Sequence, residues 1–133
     1  ARESDQSVSL LVLDLDGFKQ VNDRFGHLTG NRVLRDVGRG LEQFCRDTDV
    51  VARMGGDEFV MVLPELPRSA VEDRIRVIRA MVEAAGIHHT GEEILSASIG
   101  MATFPGDGHD GETLLDAADK RMYRQKRERH ARA

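Results

Sequence analysis

Arg53-Met54-Gly55-Gly56-Asp57-Glu58-Phe59 lies between two runs that read as strands, Asp49-Val50-Val51-Ala52 and Val60-Met61-Val62-Leu63-Pro64. Two strands joined by Gly-Gly are a β-hairpin signal, because a tight hairpin turn wants positive φ and glycine adopts it cheaply. Turn chemistry accounts for the glycines. It leaves Asp57 and Glu58 unexplained, since an exposed turn has no need of two acids in succession.

Upstream of the hairpin, Val8-Ser9-Leu10-Leu11-Val12-Leu13 is a short apolar run of the kind that forms a strand buried on both faces. It ends in Asp14-Leu15-Asp16-Gly17, and strand alternation puts Asp14 and Asp16 on one face. The pattern predicts a short helix over Phe18 to Phe25, broken by Gly26-His27-Leu28-Thr29-Gly30. A longer helix is predicted over Asn31 to Arg46, with Val33, Leu34, Val37, Leu41, Phe44 and Cys45 at helical spacing.

Downstream, Ser69-Ala70-Val71-Glu72 has the form of a capping box. The helix it opens shows an apolar stripe of Val71, Ile75, Ile78, Met81, Val82 and Ala85 and is expected to end near Gly86. A small hairpin is expected around Gly91, with His88 and His89 as surface loop residues beside it. Ile94 to Phe104 reads as a strand, and its small residues Ala97, Ser98 and Gly100 predict a central strand with helices packed closely over it. Leu114, Leu115, Ala118 and Met122 mark a last helix that ends in a basic run. The order β-α-α-β-β-α-β-α indicates a single α+β domain over residues 1–133, with a mainly antiparallel sheet flanked by helices.

Composition narrows the function. Nineteen Lys and Arg against 23 Asp and Glu leave a net charge of −4, so no broad field draws nucleic acid or anionic membrane. An anionic ligand must be held by local groups or by a metal. The lone Cys45 reads as a small buried hydrophobe, and a chain with one cysteine suits a reducing cytoplasm. No apolar run approaches the roughly 20 residues of a membrane span. No nucleophile elbow and no P-loop are present.

Asp14 ends one strand, and Asp57 lies at a hairpin expected beside it. Two carboxylates within about 4 Å repel by roughly 4 kcal/mol at an effective dielectric of 20. Protonation, a basic partner or a divalent cation would relieve that, and few hard oxygen ligands suit Mg²⁺. Two readings stand on spacing alone: a metal-sharing pair, or two strand-end carboxylates facing water. The turn from Asp14 to Lys19 enters a helix with free backbone amides, which suits phosphate. Arg46-Asp47-Thr48-Asp49 reads as a basic helix end and a turn.

Together these stretches resemble the GGDEF family of diguanylate cyclases. The resemblance rests on Asp14-Leu15-Asp16-Gly17-Phe18-Lys19-Gln20-Val21-Asn22-Asp23 with Phe25-Gly26-His27 and Gly30, then Arg53 to Phe59, then Ala97-Ser98-Ile99-Gly100 with Ala118-Asp119 and Tyr123. It spans about Leu10 to Lys126. It implies a fold like the palm of nucleotide cyclases, with a ferredoxin-like core. The implied reaction joins two GTP molecules into cyclic di-GMP with loss of two pyrophosphates, across a homodimer in which each domain holds one GTP. By position, Asp14, Asp57 and the Leu15 carbonyl would hold Mg²⁺ or Mn²⁺. Asp57 would accept the 3′-hydroxyl proton, and Glu58 is the family's second acid. Gly17, Phe18 and Lys19 would cradle phosphate, Asn22 and His27 would sit at guanine, and Lys126 matches a phosphate-binding lysine. Arg46 and Asp49 match an RxxD inhibitory site for the product, to which Arg74, Arg76 or Arg79 would add a further arginine.

Two positions depart from the family pattern. Asn31 stands where an aspartate usually accepts hydrogen bonds from guanine, which predicts weaker or less guanine-selective binding, and His130 stands where an arginine is usual. The family's leading motif and final strand have no counterpart here. The resemblance therefore also implies a piece of a longer bacterial protein carrying a fused sensor or phosphodiesterase domain. The competing reading is a module that binds GTP or cyclic di-GMP and regulates a neighbour.

Overall fold

The computed structural model describes residues 7–132, with side chains as far as Arg129; the His130 side chain lies outside the described residues. Four strands, β1 (Val8–Asp16), β2 (Val50–Gly55), β3 (Glu58–Pro64) and β4 (Ser96–Phe104), form one sheet in the order β2-β3-β1-β4. Every pairing is antiparallel. Four helices complete the chain: α1 (Phe18–Phe25), α2 (His27–Gln43), α3 (Arg68–Thr90) and α4 (Gly111–Arg132). The architecture is α+β with a palm-like sheet, as the element order implies.

β1 is the axis of the molecule, and its alternating residues serve two cores. Leu11, Leu13 and Leu15 pack with Phe59, Met61, Leu63 and Ile99 beneath Phe18, Val21, Val33, Val37, Leu41, Ile78 and Val82 of α1, α2 and α3. Leu10 and Val12 face the other way, onto Leu114, Ala118 and Met122 of α4. Asp14 and Asp16 continue the α4-facing series, so the alternation that buries Leu10 and Val12 carries both acids towards the last helix.

Several local expectations change. The break between the first two helices is Gly26 alone, at φ 92° and ψ 160°, and α2 already starts at His27. It ends at Gln43, leaving Phe44 and Cys45 half-buried just beyond. No side chain caps α3, whose N-cap is Pro67, so Ser69 forms no capping box. Gly86 does not end α3. It lies inside the helix, where a Cβ would come 2.6 Å from the Leu95 Cβ, and Gly91 at φ 77° closes the helix instead of making a hairpin. His88 and His89 therefore sit on the last helical turn rather than in a loop.

β4 is an edge strand, not a central one, yet its small residues do admit a close helix. A Cβ on Gly100 would lie 1.9 Å from the Ala118 carbonyl oxygen and 2.4 Å from the Met122 nitrogen. No helix among the described residues is long and apolar enough to cross a membrane.

Candidate active site

The hairpin turn is Gly56-Asp57, closed by pairing of Gly55 with Glu58. Neither Gly55 nor Gly56 has positive φ, so backbone conformation does not demand glycine there. Both instead face open space, with nothing within 4 Å of where a Cβ would be. The effect is a bare rim beside Asp57.

β3 pairs with β1 so that Glu58 lies opposite Asp14, and the Leu15 amide donates to the Asp57 carbonyl at 3.2 Å. That register brings Asp57 against Asp14. Burial first, then the Asp14 charge and a hydrogen bond with Asp14, push the Asp57 carboxyl above its ordinary value, against a smaller pull from Lys126. Glu58 is also raised, by burial and then by Asp119, with Asp14 and Asp57 adding to it.

A cation answers this cluster. Lys126, reaching from α4, donates to Asp14 Oδ2 at 2.6 Å and lies 3.6 Å from Asp16 Oδ1. Burial alone would lower its pKa, but the bond to Asp14 and the charges of Asp14, Asp16 and Asp57 outweigh that and raise it. Asp16, which the alternation flagged but no site reading used, accepts a bond from the buried Ser98 hydroxyl. Gln125 accepts from the Ile99 amide at 2.8 Å and so pins the same stretch of α4 over β4.

One oxygen of each central acid, Asp14 Oδ1 and Asp16 Oδ1, is buried with no hydrogen-bond partner among the described residues. Buried carboxylate oxygens without partners are costly, and a hard divalent cation is a fitting occupant. The donor set therefore suits Mg²⁺ or Mn²⁺.

Gly17 turns the chain from β1 into α1. It sits at φ 89°, and a Cβ there would fall 2.0 Å from the Ile94 carbonyl oxygen, so only glycine fits. No side chain caps α1, which leaves its first amides, beside buried Phe18 and exposed Lys19, available to an anion. Asn22 packs over Gly30, where a Cβ would meet its Oδ1 at 1.9 Å. His27 and Asn31 are both exposed and four residues apart on α2, hence on one helix face. The three residues that the resemblance assigns to a guanine rim flank the α1–α2 junction at Gly26.

Arg46 and Asp49 lie on another part of the surface. Arg46 donates to Asp49 Oδ1 at 2.7 Å and to the Pro64 carbonyl at 2.6 Å, and its amide donates to Asp49 Oδ2. Arg74 approaches Asp49 Oδ2 at 3.5 Å. Burial would raise the Asp49 carboxyl, but these arginine contacts prevail and hold it below its ordinary value. Among Arg74, Arg76 and Arg79, only α3's Arg74 joins the pair; Arg76 bonds Asp73 instead. Helical position alone could not make that choice.

Comparison with known proteins identifies the family. A family model described as diguanylate cyclase, GGDEF domain, matches residues 1–132. The chain is 40% identical over 119 residues to the diguanylate cyclase DgcP of Pseudomonas aeruginosa, covering 89% of this chain and 18% of that protein. It is 41% identical over 134 residues to the diguanylate cyclase DosC of Escherichia coli, covering 96% of this chain and 28% of that one. The GGDEF domain of DgcB from Caulobacter crescentus, solved in complex with c-di-GMP, superposes with a TM-score of 0.80 at 33% identity, covering 94% of this chain and 75% of that one. The chain thus spans under a third of the length of either curated relative.

Proposed function

The chain belongs to the GGDEF family, and from that we propose that it is a diguanylate cyclase catalytic domain, condensing two GTP into cyclic di-GMP and two pyrophosphates. The observation that carries the proposal is the meeting of Asp14 and Asp57 across the β1–β3 pairing, with Lys126 on the same carboxylate. Structural ion pairs rarely leave buried carboxylate oxygens without partners, whereas sites that await a charged ligand do.

In this reading the α1 amides and Lys19 receive the triphosphate, and Asn22, His27 and Asn31 receive the guanine. Asp14, Asp57 and the Leu15 carbonyl would hold Mg²⁺ or Mn²⁺, which when bound neutralises the acids and the phosphate charge around the reacting centre. Two copies face each other, and the 3′-hydroxyl oxygen of each GTP attacks the α-phosphorus of the other. Each attack forms a new P–O bond and breaks the bond to pyrophosphate, which leaves. Asp57 accepts the hydroxyl proton, a role suited to a carboxyl more basic than usual. In the same reading the Lys126 ammonium, held on Asp14, stabilises charge on the phosphates.

Arg46 and Asp49, with Arg74, are proposed to bind cyclic di-GMP as a feedback inhibitor, the arginines serving guanine edge and phosphate. A sensor or phosphodiesterase domain fused to this one would set when two copies meet. A second reading, a module that binds nucleotide without turning it over or with relaxed purine choice, is favoured by Asn31, which faces solvent on the guanine rim.

The test is to incubate the full-length or dimer-forced protein with GTP and Mg²⁺ and to separate the products by chromatography beside Asp57→Ala. Cyclic di-GMP from the parent and none from the variant is the expected result. Retained GTP binding with no cyclic dinucleotide from the parent would sink the enzyme reading and leave the binding module.

A further inference from the structure

We propose that Asp36, His88 and His89 form a second metal site, for a borderline transition-metal ion of the Zn²⁺ class, that clamps α2 to α3. The site is separate from the carboxylate cluster and does not depend on the cyclase reading.

The three side chains each offer one ligand atom, and all of these atoms lie within 4.8 Å of one another. His89 Nε2 and Asp36 Oδ2 are already 2.6 Å apart across the two helices. Ligands held at about 2.0–2.1 Å on a tetrahedral ion stand roughly 3.4 Å from each other. The His89–Asp36 pair therefore needs only a small opening to admit one. His88 must move by about an ångström or more, and its exposure leaves room for that; its ring meets the His89 ring edge-on at 4.8 Å.

Successive residues on a helix point about 100° apart, so adjacent histidines do not ordinarily converge. Here they do, at the last turn before Gly91. That position adds a favourable field, because a helix C-terminus carries partial negative charge and attracts cations. The Asp36–His89 bond by itself would be explained as a brace between helices. It leaves unexplained why His88 sits within reach of the same point.

The ligand chemistry sets the choice of ion. Two imidazoles and one carboxylate suit Zn²⁺, Co²⁺ or Ni²⁺, whereas Mg²⁺ takes oxygen ligands and keeps its waters. The two metal sites should therefore sort their ions, oxygen donors at Asp14 and Asp57, nitrogen donors here. Three protein ligands leave a position for water. The clamp would tie the helix that carries Asn31 to the helix that carries Arg74, bracing the guanine rim and the Arg46–Asp49 cluster against each other.

The test uses the protein without affinity histidines, stripped of metal, in excess Mg²⁺ to load the carboxylate site. Zn²⁺ is titrated against a chromophoric chelator, and Co²⁺ spectra are recorded in parallel. Wild type should bind one Zn²⁺ per chain, show the intense visible bands of tetrahedral Co²⁺, and gain thermal stability with Zn²⁺. His88→Ala, which removes an exposed side chain, and Asp36→Asn should each weaken Zn²⁺ binding by about tenfold or more. Asp57→Ala should leave it unchanged. Equal Zn²⁺ affinity in wild type and His88→Ala, or loss of Zn²⁺ binding in Asp57→Ala, would overturn the proposal.

Discussion

Replacing Lys126 with methionine isolates the electrostatics of the carboxylate cluster, because methionine keeps most of the stem and removes only the charge. Lys126 lies 2.6 Å from Asp14 and 3.6 Å from Asp16, with side chains 25%, 11% and 10% exposed respectively. Removing one partner of a fully buried pair costs about 3–5 kcal/mol. Partial exposure of the lysine, and the ability of Asp57 to take a proton, reduce this to roughly 2 kcal/mol in metal-free buffer. The loss should depend on pH. A carboxyl whose pKa is raised on folding holds its proton more tightly in the folded state, so its contribution favours the fold at low pH and is lost as pH rises through the folded value. Asp57 is such a group, and Lys126 restrains its rise. In the variant that restraint is gone, so the deficit should grow from about pH 4 towards neutrality. The Lys126 ammonium, itself raised above 10.5, stays charged over that range and adds no slope of its own. Urea unfolding in chelator, repeated with saturating Mn²⁺ across that range, measures both effects. Mn²⁺ should stabilise the variant more than wild type, since it supplies the missing charge. A deficit that is flat with pH and indifferent to Mn²⁺ would refute the coupling of Lys126 to these acids.

Three further outcomes are expected. Gly100→Ala should destabilise the fold by about 1–3 kcal/mol in denaturant titration, because its Cβ meets the α4 backbone at 1.9 and 2.4 Å; a loss within experimental error would mean that α4 lifts freely. Asp107 is held at about 2 by hydrogen bonds from Arg121 and then from the Thr103 amide. A depressed carboxyl stabilises the fold above its unfolded value of 3.8 and loses that as pH falls through the folded value. Asp107→Asn should therefore cost ~1 kcal/mol at neutral pH, after allowance for the exposed Arg121, with most of that difference gone by pH 2, where the carboxyl is half protonated; a thermal-melt difference undiminished in acid would contradict this. Asn31→Asp should raise GTP affinity by about tenfold, equivalent to one recovered hydrogen bond to a charged acceptor, and widen discrimination against ATP in calorimetric titration. Unchanged GTP affinity would remove Asn31 from the guanine rim.

The sequence by itself determined the order of elements and the double-sided burial of β1 with Asp14 at its end; whether Asp14 meets the hairpin acids it left open, and the β1–β3 register decided that. Those features follow from local periodicity: a run apolar at every position but Ser9 has no solvent face, and a carboxylate at its end must lie at the rim of the sheet. Only the tertiary structure decided the rest. Helix boundaries moved because the expected breakers were spent elsewhere, Gly86 on contact with Leu95 and Gly91 on closing α3. The hairpin glycines turned out to give open space rather than positive φ, a distinction invisible to turn propensity. Which arginine joins Asp49, and that Asp16 shares Lys126 with Asp14, depend on helix rotation and on contacts between residues more than 20 positions apart. His89 meets Asp36 for the same reason, from 53 positions away in the chain, and no pattern within either helix announces it. Local chemistry names the residues a site can use; packing between distant segments chooses which of them meet.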